Sequence, residues 1–525
     1  MLRSTFSGFS MAQLALSANQ KALDVTGQNL SNINTKGYTR QRLDLVSIAP
    51  QQAGSFSSPN DVKVGMGVLM TGVSQIRDPF LDTQYRNQLT KVGTADAINN
   101  ILGKLGNIFD ESDKSAIKEQ ISDIVSQLDK LSQPGQSSDD NLVRSSFEVL
   151  INYIHQNAED LSTVKQDIES QIQDSNLVNV TEILDEIKKL NQSIKQSQIL
   201  GDPALELQDS RNVLLDDLST YLPIKVETEK MDVGGGIYVD KIKVTFTGSN
   251  GTNVTLVDGE DIATIQAQQG EDGKYGLTIK AAGAKEGEAG VDVTNNLKDG
   301  ILKGSLDMLN YRGQFDEPAT AINGIGFYED SFDTFVNTLA MKLNELNGVV
   351  YKYDEDSKTW SYESGEENAL FTTSDGKAFG FTASNIKISD AWSKGDVSIK
   401  RSSDENAGTT ANDNILKMIT LLSDEKVALI RKDGKQVDGE KSIFNSYADI
   451  QNTYAIDKKS YEALLDNHTI VAQQAETSRE AVTGVNMDEE VMNMMKYQQS
   501  YNAASRLMTT LDALLDKLIN GTGVM

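Results

Sequence analysis

The sequence predicts a multidomain, mainly α protein: an elongated bundle of long helices whose N- and C-terminal coiled-coil helices pair, with β-rich domains inserted along its length. Three observations carry this. Large apolar residues recur every seventh position at the start of the chain, a second apolar row follows spacings of four and three at its end, and the composition switches near residue 222 from helical periodicity to strand-like alternation and back near residue 303.

At the N-terminus, Leu2, Phe9, Leu16, Leu23 and Leu30 form a bulky row, and Thr5, Ala12, Asn19, Thr26 and Ile33 form a small or polar companion row. Two such rows make a coiled-coil seam, in which Asn19 either fixes register or sits partly solvated at the edge. At the C-terminus, Tyr497, Tyr501, Ala504, Met508, Leu511, Leu515 and Leu518 line one helix face. Isolated helices are marginal in water, so each terminal helix needs a partner, and the simplest partner is the other. Residues 1–35 with 485–525 are therefore expected to form a terminal helical unit.

The next segments follow from local pattern. "DVKVGMGVLM" alternates as a half-buried strand, with Val62, Val64, Met66, Val68 and Met70 on one side. Asp78 as N-cap and Pro79 in the first helical position start a long helix. Ile101, Leu102, Leu105, Ile108 and Phe109 mark one helical face and Leu177, Val180, Leu184, Ile187, Leu190 and Ile194 another, with a break at Pro134-Gly135. A helical shaft is thus expected over 36–221, continued by 303–349 and 411–484. Alternating runs such as "IYVDKIKVTF" assign 222–302 to an inserted β-rich domain, and 350–410 to a second loop-and-strand insertion.

Between the first helix and the shaft lies "NLSNINTKGYTRQRLDL". Asn and Gly tolerate left-handed backbone and Asn bonds nearby backbone groups, so Asn29, Asn32 and Gly37 read as a helix stop and a joint. Tyr38 is then a packing anchor, and Arg40 and Arg42 are contacts to an acidic neighbouring molecule.

Composition narrows the chemistry. A net charge of −27 over 525 residues, spread along the chain, opposes a nucleic-acid partner, since phosphate binding requires Lys and Arg. Mean hydropathy is −0.38. No apolar run of spanning length occurs, so membrane insertion is not expected, and no continuous h-region marks a cleaved signal peptide. There is no Cys, and the two histidines, His155 and His468, are too few for most zinc sites. Asp354 and Asp356 have calcium-like spacing without the loop glycine or terminal Glu. Asp216-Asp217 and Glu489-Glu490 are adjacent, so on a helix they diverge and read as solvated surface. No catalytic, metal or cofactor site is assigned, and an enzyme is not expected.

"STFSGFSMAQLALSANQKALDVTGQNLSNINTKGYTRQR" at the front, "GVNMDEEVMNMMKYQQSYNAASRLMTTLDALLDKLING" at the back and "ALELQDSRNVLLDDLS" between them resemble the axial proteins of the bacterial flagellum, and among these the proteins of the hook-filament junction. The resemblance implies a secreted structural part, carried through the flagellar type III export apparatus, that polymerises with itself at the hook tip. It implies the hook protein and a second junction protein as neighbours, terminal helices in the inner tube wall and β domains outside. It also implies an export chaperone on the C-terminal helix, covering Met487, Met494 and Met508. Another axial protein, such as the second junction protein or a filament subunit, remains an alternative, as does an enzyme or adhesin carried in the β insert. Deleting residues 1–30 or 490–525 is expected to leave a soluble, cooperatively folded middle that cannot assemble. Circular dichroism during thermal unfolding checks this, and global unfolding on truncation contradicts it.

Overall fold

A computed structural model of the chain describes residues 5–48, 65–109, 116–133, 140–271, 273–285, 287–404 and 411–521. Helix α1 (Thr5–Ser31) packs against the last helix, α12 (Met487–Gly521). The pair is antiparallel: Gly8 lies beside the Leu511 side chain, and Asn29 reaches Glu490 at the other end. The small row is what closes the seam. Ala12, Ala18, Ala22, Val25 and Thr26 are buried, whereas Phe9, Leu16, Leu23 and Leu30 are only half-covered. Small side chains let the backbones approach, and of the two rows expected to form the seam the small one is the more deeply buried. Asn19 bonds Ala15 O of its own helix at 2.7 Å and fixes no register between helices.

Strands β1 (Gln41–Ser47) and β2 (Val68–Gln75) form an antiparallel hairpin, Gln41 opposite Gln75 and Ser47 opposite Val68. It folds back along α1, bringing Gly67 against Met11 and Leu14. The strand read in "DVKVGMGVLM" is found as β2, shifted to Val68–Gln75 and paired with β1, within the segment assigned to the shaft. Val62 and Val64 lie outside the described residues, and Met66 and Met70 are exposed, because α1 covers only part of the hairpin.

The shaft is built on α2 (Pro79–Phe109), which opens as its sequence specifies: Asp78 Oδ1 accepts from Phe80 N at 2.9 Å, with Pro79 in the first turn. After α3 (Ala116–Ser132), α4 (Asn141–Ser170) passes through a π-helical turn (Gln171–Asn176) into α5 (Leu177–Ile199), one continuous rod about 90 Å long at 1.5 Å per residue. Pro134-Gly135 lies outside the described residues. Helix α6 (Leu205–Tyr221) runs parallel to α2, with Arg86 on Asp216 and Thr90 Oγ1 on Ser219 O. The two approach so closely that a Cβ at Gly93 would meet Thr220 O at 2.2 Å.

The insert between α6 and α7 (Ile301–Asn310) holds a four-stranded antiparallel sheet and a three-stranded one within Ile224–Asp292. Ile242, Val244, Phe246, Leu256 and Leu277 share one core with the helices, so the insert is packed on the shaft. Asn191 of α5 donates to Gly259 O, and Gln198 exchanges hydrogen bonds with Asp240.

Helical periodicity returns as expected but is interrupted between α7 and α8 (Ile325–Leu346), where Pro318 cannot donate to a helix. Along α8, Asn337, Asn344 and Asn347 turn inward and bond the backbone of the second insertion, at Phe381 N, Phe371 O and Asn368 O among others. Each uses its amide both as donor and as acceptor, Asn337 donating to Ile430 O and Arg431 O. Two short hairpins, a single-turn helix α9 (Asp390–Lys394) and the Phe147–Phe371–Trp392 aromatic cluster complete that region.

Helix α10 (Asp413–Ser423) and the 41-residue α11 (Ile443–Thr483) return the chain along α2, antiparallel to it, with Lys458 on Asn99 and Arg479 over Tyr85. Between them Val427–Ile430 pairs with Gln436–Lys441 as a hairpin where helix is expected. Its Asp433-Gly434 turn is a strong local hairpin signal.

Asp140 holds the second insertion to α4: its buried carboxylate accepts from Trp392 Nε1 at 2.9 Å and Ile399 N at 2.8 Å. Asp140→Ala leaves two buried donors unpaired, a cost of about 2–4 kcal/mol. Calorimetry is expected to show a lowered melting transition with secondary structure retained.

Candidate functional site

The structure places the Asn-rich segment where the α1–α12 pair meets the shaft, and Asn29 is its centre. Asn29 is buried, and all four hydrogen-bonding valences of its amide are used. Oδ1 accepts from Tyr38 OH at 3.0 Å and Gln41 N at 2.9 Å, while Nδ2 donates to Gln41 O at 2.9 Å and Glu490 Oε2 at 3.2 Å. The side chain thus stands in for a strand partner at the first residue of β1. Gly37 supplies the reversal with a left-handed φ of 78°, and a Cβ there would lie 2.4 Å from Val213 Cγ2.

Arg40 binds the same carboxylate from the other side. Its Nε and Nη2 lie 2.8 and 2.7 Å from Glu490 Oε1, and its Nη1 lies 2.8 Å from Glu489 Oε2. Its backbone N donates to Thr483 O, at the end of α11, and its O accepts from Ile76 N. Arg40 therefore finds its acidic partner within its own chain, which corrects the expectation of a neighbouring molecule. Arg42, with a side chain 64 % exposed, pairs among the described residues with Asp44 two residues away.

A second network ties this segment to the shaft. Asp209 of α6 accepts from Thr39 N at 3.0 Å and Thr39 Oγ1 at 2.6 Å. From Asp209 an alternating series of charges runs into the bundle: Arg77 at 3.8 Å, then Asp82 at 2.6 Å from Arg77, Arg479 at 3.7 Å from Asp82, Asp216 at 2.6 Å from Arg479, and Arg86 at 2.7 Å from Asp216. Burial pushes the Asp209 carboxyl up, against the hydrogen bonds from Thr39 and the charge of Arg77. Burial also opposes the charge on Arg479, which Asp216 and Asp82 nevertheless hold above its ordinary value. The Tyr38 phenol is raised by burial and by the carboxylates of Glu206, Asp209 and Glu490.

Pairs of adjacent carboxylates do diverge, but one member of each points inward. Glu490 is 2 % exposed and Asp216 13 %, so their reading as solvated surface is corrected. Local pattern does not reveal them, because their partners are 450 and 130 residues away.

The expected interface residues fall on both sides of the terminal seam. Phe9, Leu16, Leu23, Leu30 and Ile33 are half-buried on or just beyond α1, and Tyr497, Met508, Leu511 and Leu515 are half-buried on α12. Tyr501 is exposed, Leu2 lies outside the described residues, and Leu518 falls on α12. Asn32 lies in the turn after α1 and bonds Gln28 O. Among the described residues no group of three or more acidic or histidine side chains is placed to hold a metal, and no helix is long and apolar enough to cross a membrane.

Glu490→Ala strands Asn29 Nδ2 and removes the buried partner of Arg40, with an expected cost of about 2–3 kcal/mol. Arg42→Ala is expected to stay within about 0.5 kcal/mol of the parent. Urea unfolding of the full-length variants separates the two, and equal effects would contradict this division.

Comparison with known proteins finds similarity to flagellar proteins. Residues 102–358 match the family model of the flagellar hook-associated protein FlgK helical domain. Residues 481–521 match the flagellar basal body rod FlgEFG protein C-terminal model, and 9–39 the flagella basal body rod protein model. Flagellar hook-associated protein 1 of Bacillus subtilis (strain 168) is 27 % identical, covering 100 % of this chain and 99 % of its own. That of Escherichia coli (strain K12) is 25 % identical, covering 97 % and 98 %. Flagellar hook protein FlgE of Treponema pallidum (strain Nichols) is 33 % identical over 101 residues, 18 % of this chain and 20 % of its own. In fold, the flagellar hook junction protein FlgK from Burkholderia pseudomallei superposes with a TM-score of 0.53 at 11 % identity, covering 76 % of this chain and 100 % of that one. Over 102–358 the chain matches the FlgK helical-domain model, and along its whole length it is similar to flagellar hook-associated protein 1.

Proposed function

We propose that the chain is a structural subunit of the bacterial flagellum that assembles at the distal end of the hook and forms the junction on which the filament is built. The observation that carries this reading is the terminal helix pair. Among the described residues none of α1 or α12 belongs to the main hydrophobic core, and α12 buries only Glu490 and Ala504. Met487, Met492, Met495, Leu507, Leu514 and Ile519 of α12 stay exposed. A face of this kind reaches a stable state only when further helices cover it, so the unit is completed by neighbours at a growing end, where mass action supplies them.

Copies of this chain, the hook protein and a second junction protein are the neighbours in this reading. Export through the flagellar type III apparatus without a cleaved signal leaves α12 uncovered beforehand, and a dedicated chaperone masks its methionine-rich face, which suits adaptable binding. Met487 is exposed on that face, while Met494 and Met508 are half-buried. The role is mechanical, with no chemistry asked of the β regions. A strain lacking the gene is expected to build hooks without filaments and to shed filament protein into the medium. Normal filaments in that strain, seen by electron microscopy, would rule the reading out.

A further inference from the structure

We propose that Asn250–Gly251 is a site of spontaneous covalent modification, where the folded chain loses a side-chain amide and gains an aspartate or isoaspartate. The sequence contains four Asn-Gly steps, at Asn250, Asn323, Asn347 and Asn520. An Asn followed by Gly is the step most open to this chemistry, because no Cβ shields the following nitrogen or limits its backbone rotation. Folding then decides which of the four keeps that freedom.

Three are restrained. Asn347 is fully buried, its Nδ2 donating to Asn368 O at 2.8 Å and its Oδ1 accepting from Lys400 N at 2.8 Å. Asn323 Nδ2 donates to Asp457 Oδ2 at 3.0 Å, and a Cβ at the buried Gly324 would meet Met308 O at 2.5 Å, so the backbone there is walled in. Asn520 lies within α12 with Nδ2 on Asp516 Oδ1 at 2.7 Å, and helical backbone turns the next nitrogen away from the side chain. Asn250 differs from all three. It is exposed in the turn Ser249–Gly251, between the strands Tyr238–Thr247 and Asn253–Asp258. Its amide makes no hydrogen bond among the described residues. Asn250 and Gly251 have left-handed φ of 57° and 76°, and nothing lies within 4 Å of the space a Gly251 Cβ would fill. The turn therefore has room for the Gly251 nitrogen to swing toward Asn250 Cγ.

Hydroxide removes the Gly251 N proton, and that nitrogen attacks Asn250 Cγ. The new C–N bond closes a cyclic imide while the Cγ–Nδ2 bond breaks and ammonia leaves, taking its proton from water and returning the hydroxide. One water then opens the imide. Cleavage at Cγ gives an aspartate in the ordinary chain, and cleavage at the backbone carbonyl carbon routes the chain through Cγ as isoaspartate. Water is consumed, ammonia is released and nothing is oxidised. Either product adds a negative charge to the turn of a chain that already carries −27.

Ageing the full chain in mildly alkaline buffer, folded or in urea, followed by digestion and mass spectrometry, tests the site. In the folded chain the amide-to-acid mass shift is expected first and most at Asn250, in a product that an isoaspartyl methyltransferase labels. In urea all four steps are expected to react at similar rates. Asn250→Gln, whose longer side chain cyclises far more slowly, is expected to lose most of the acidic shift seen on isoelectric focusing. An unmodified Asn250 in the aged folded chain, or conversion of one of the other three as fast as Asn250, overturns the proposal. The reaction needs only the folded chain and water, so its outcome is separate from the junction role, which the deletion strain tests.

Discussion

The hydrogen bond between Asn29 and Glu490 joins the two extremes of a chain, 461 residues apart, in a buried place where neither side chain has water to turn to. Everything at the base of the terminal unit depends on it being satisfied. Burying a carboxylate is costly unless charge and hydrogen bonds compensate. Glu490 is compensated by Arg40 and Asn29, Arg40 is anchored in turn through its backbone to α11, and Asn29 organises the first residue of β1. Removing one member leaves the others unpaired, so the arrangement is held as a unit. It fixes where the terminal helices leave the shaft, even though those helices add nothing to the main core.

That division of labour explains how one chain can be both firm and incomplete. The shaft, the β insert and the second insertion share one hydrophobic core running from Ile98 to Tyr454. The α1–α12 seam closes on alanines, and dispersion and burial at such small residues stabilise far less than a leucine core does. Large side chains such as Leu16 and Leu23 remain half-covered, and Leu507 and Leu514 are exposed and open to further helices. A charge of −27 keeps the unassembled chain dispersed while that apolar surface is open.

Much of the architecture is legible in the sequence where a local physical rule decides it. Asp78 and Pro79 announce the start of α2, the alternating run through Phe246 announces a sheet, and the row through Tyr497 and Met508 announces a long C-terminal helix. Legibility fails where two patterns compete or where the partner is remote. The hairpin around Asp433-Gly434 is hidden inside a region otherwise read as helix. The leucine heptads compete with the alanine row, and periodicity alone does not say which row faces in. Asp216 and Glu490 look like solvated acids until Arg479 and Arg40 are brought to them.

The sequence by itself determined that this is a long-helix protein with β insertions, with terminal helices suited to each other and an Asn-Gly joint between helix and shaft. Those features rest on periodicity, capping and turn chemistry, which act over a few residues. Only the tertiary structure decided that the joint is closed by Glu490 from the far end of the chain, that the shaft grips it through Asp209, and that Arg40 is spent internally while Arg42 faces solvent. The physical reason is that an ion pair depends on distance and burial, and neither is defined for residues hundreds of positions apart until the helices between them have packed.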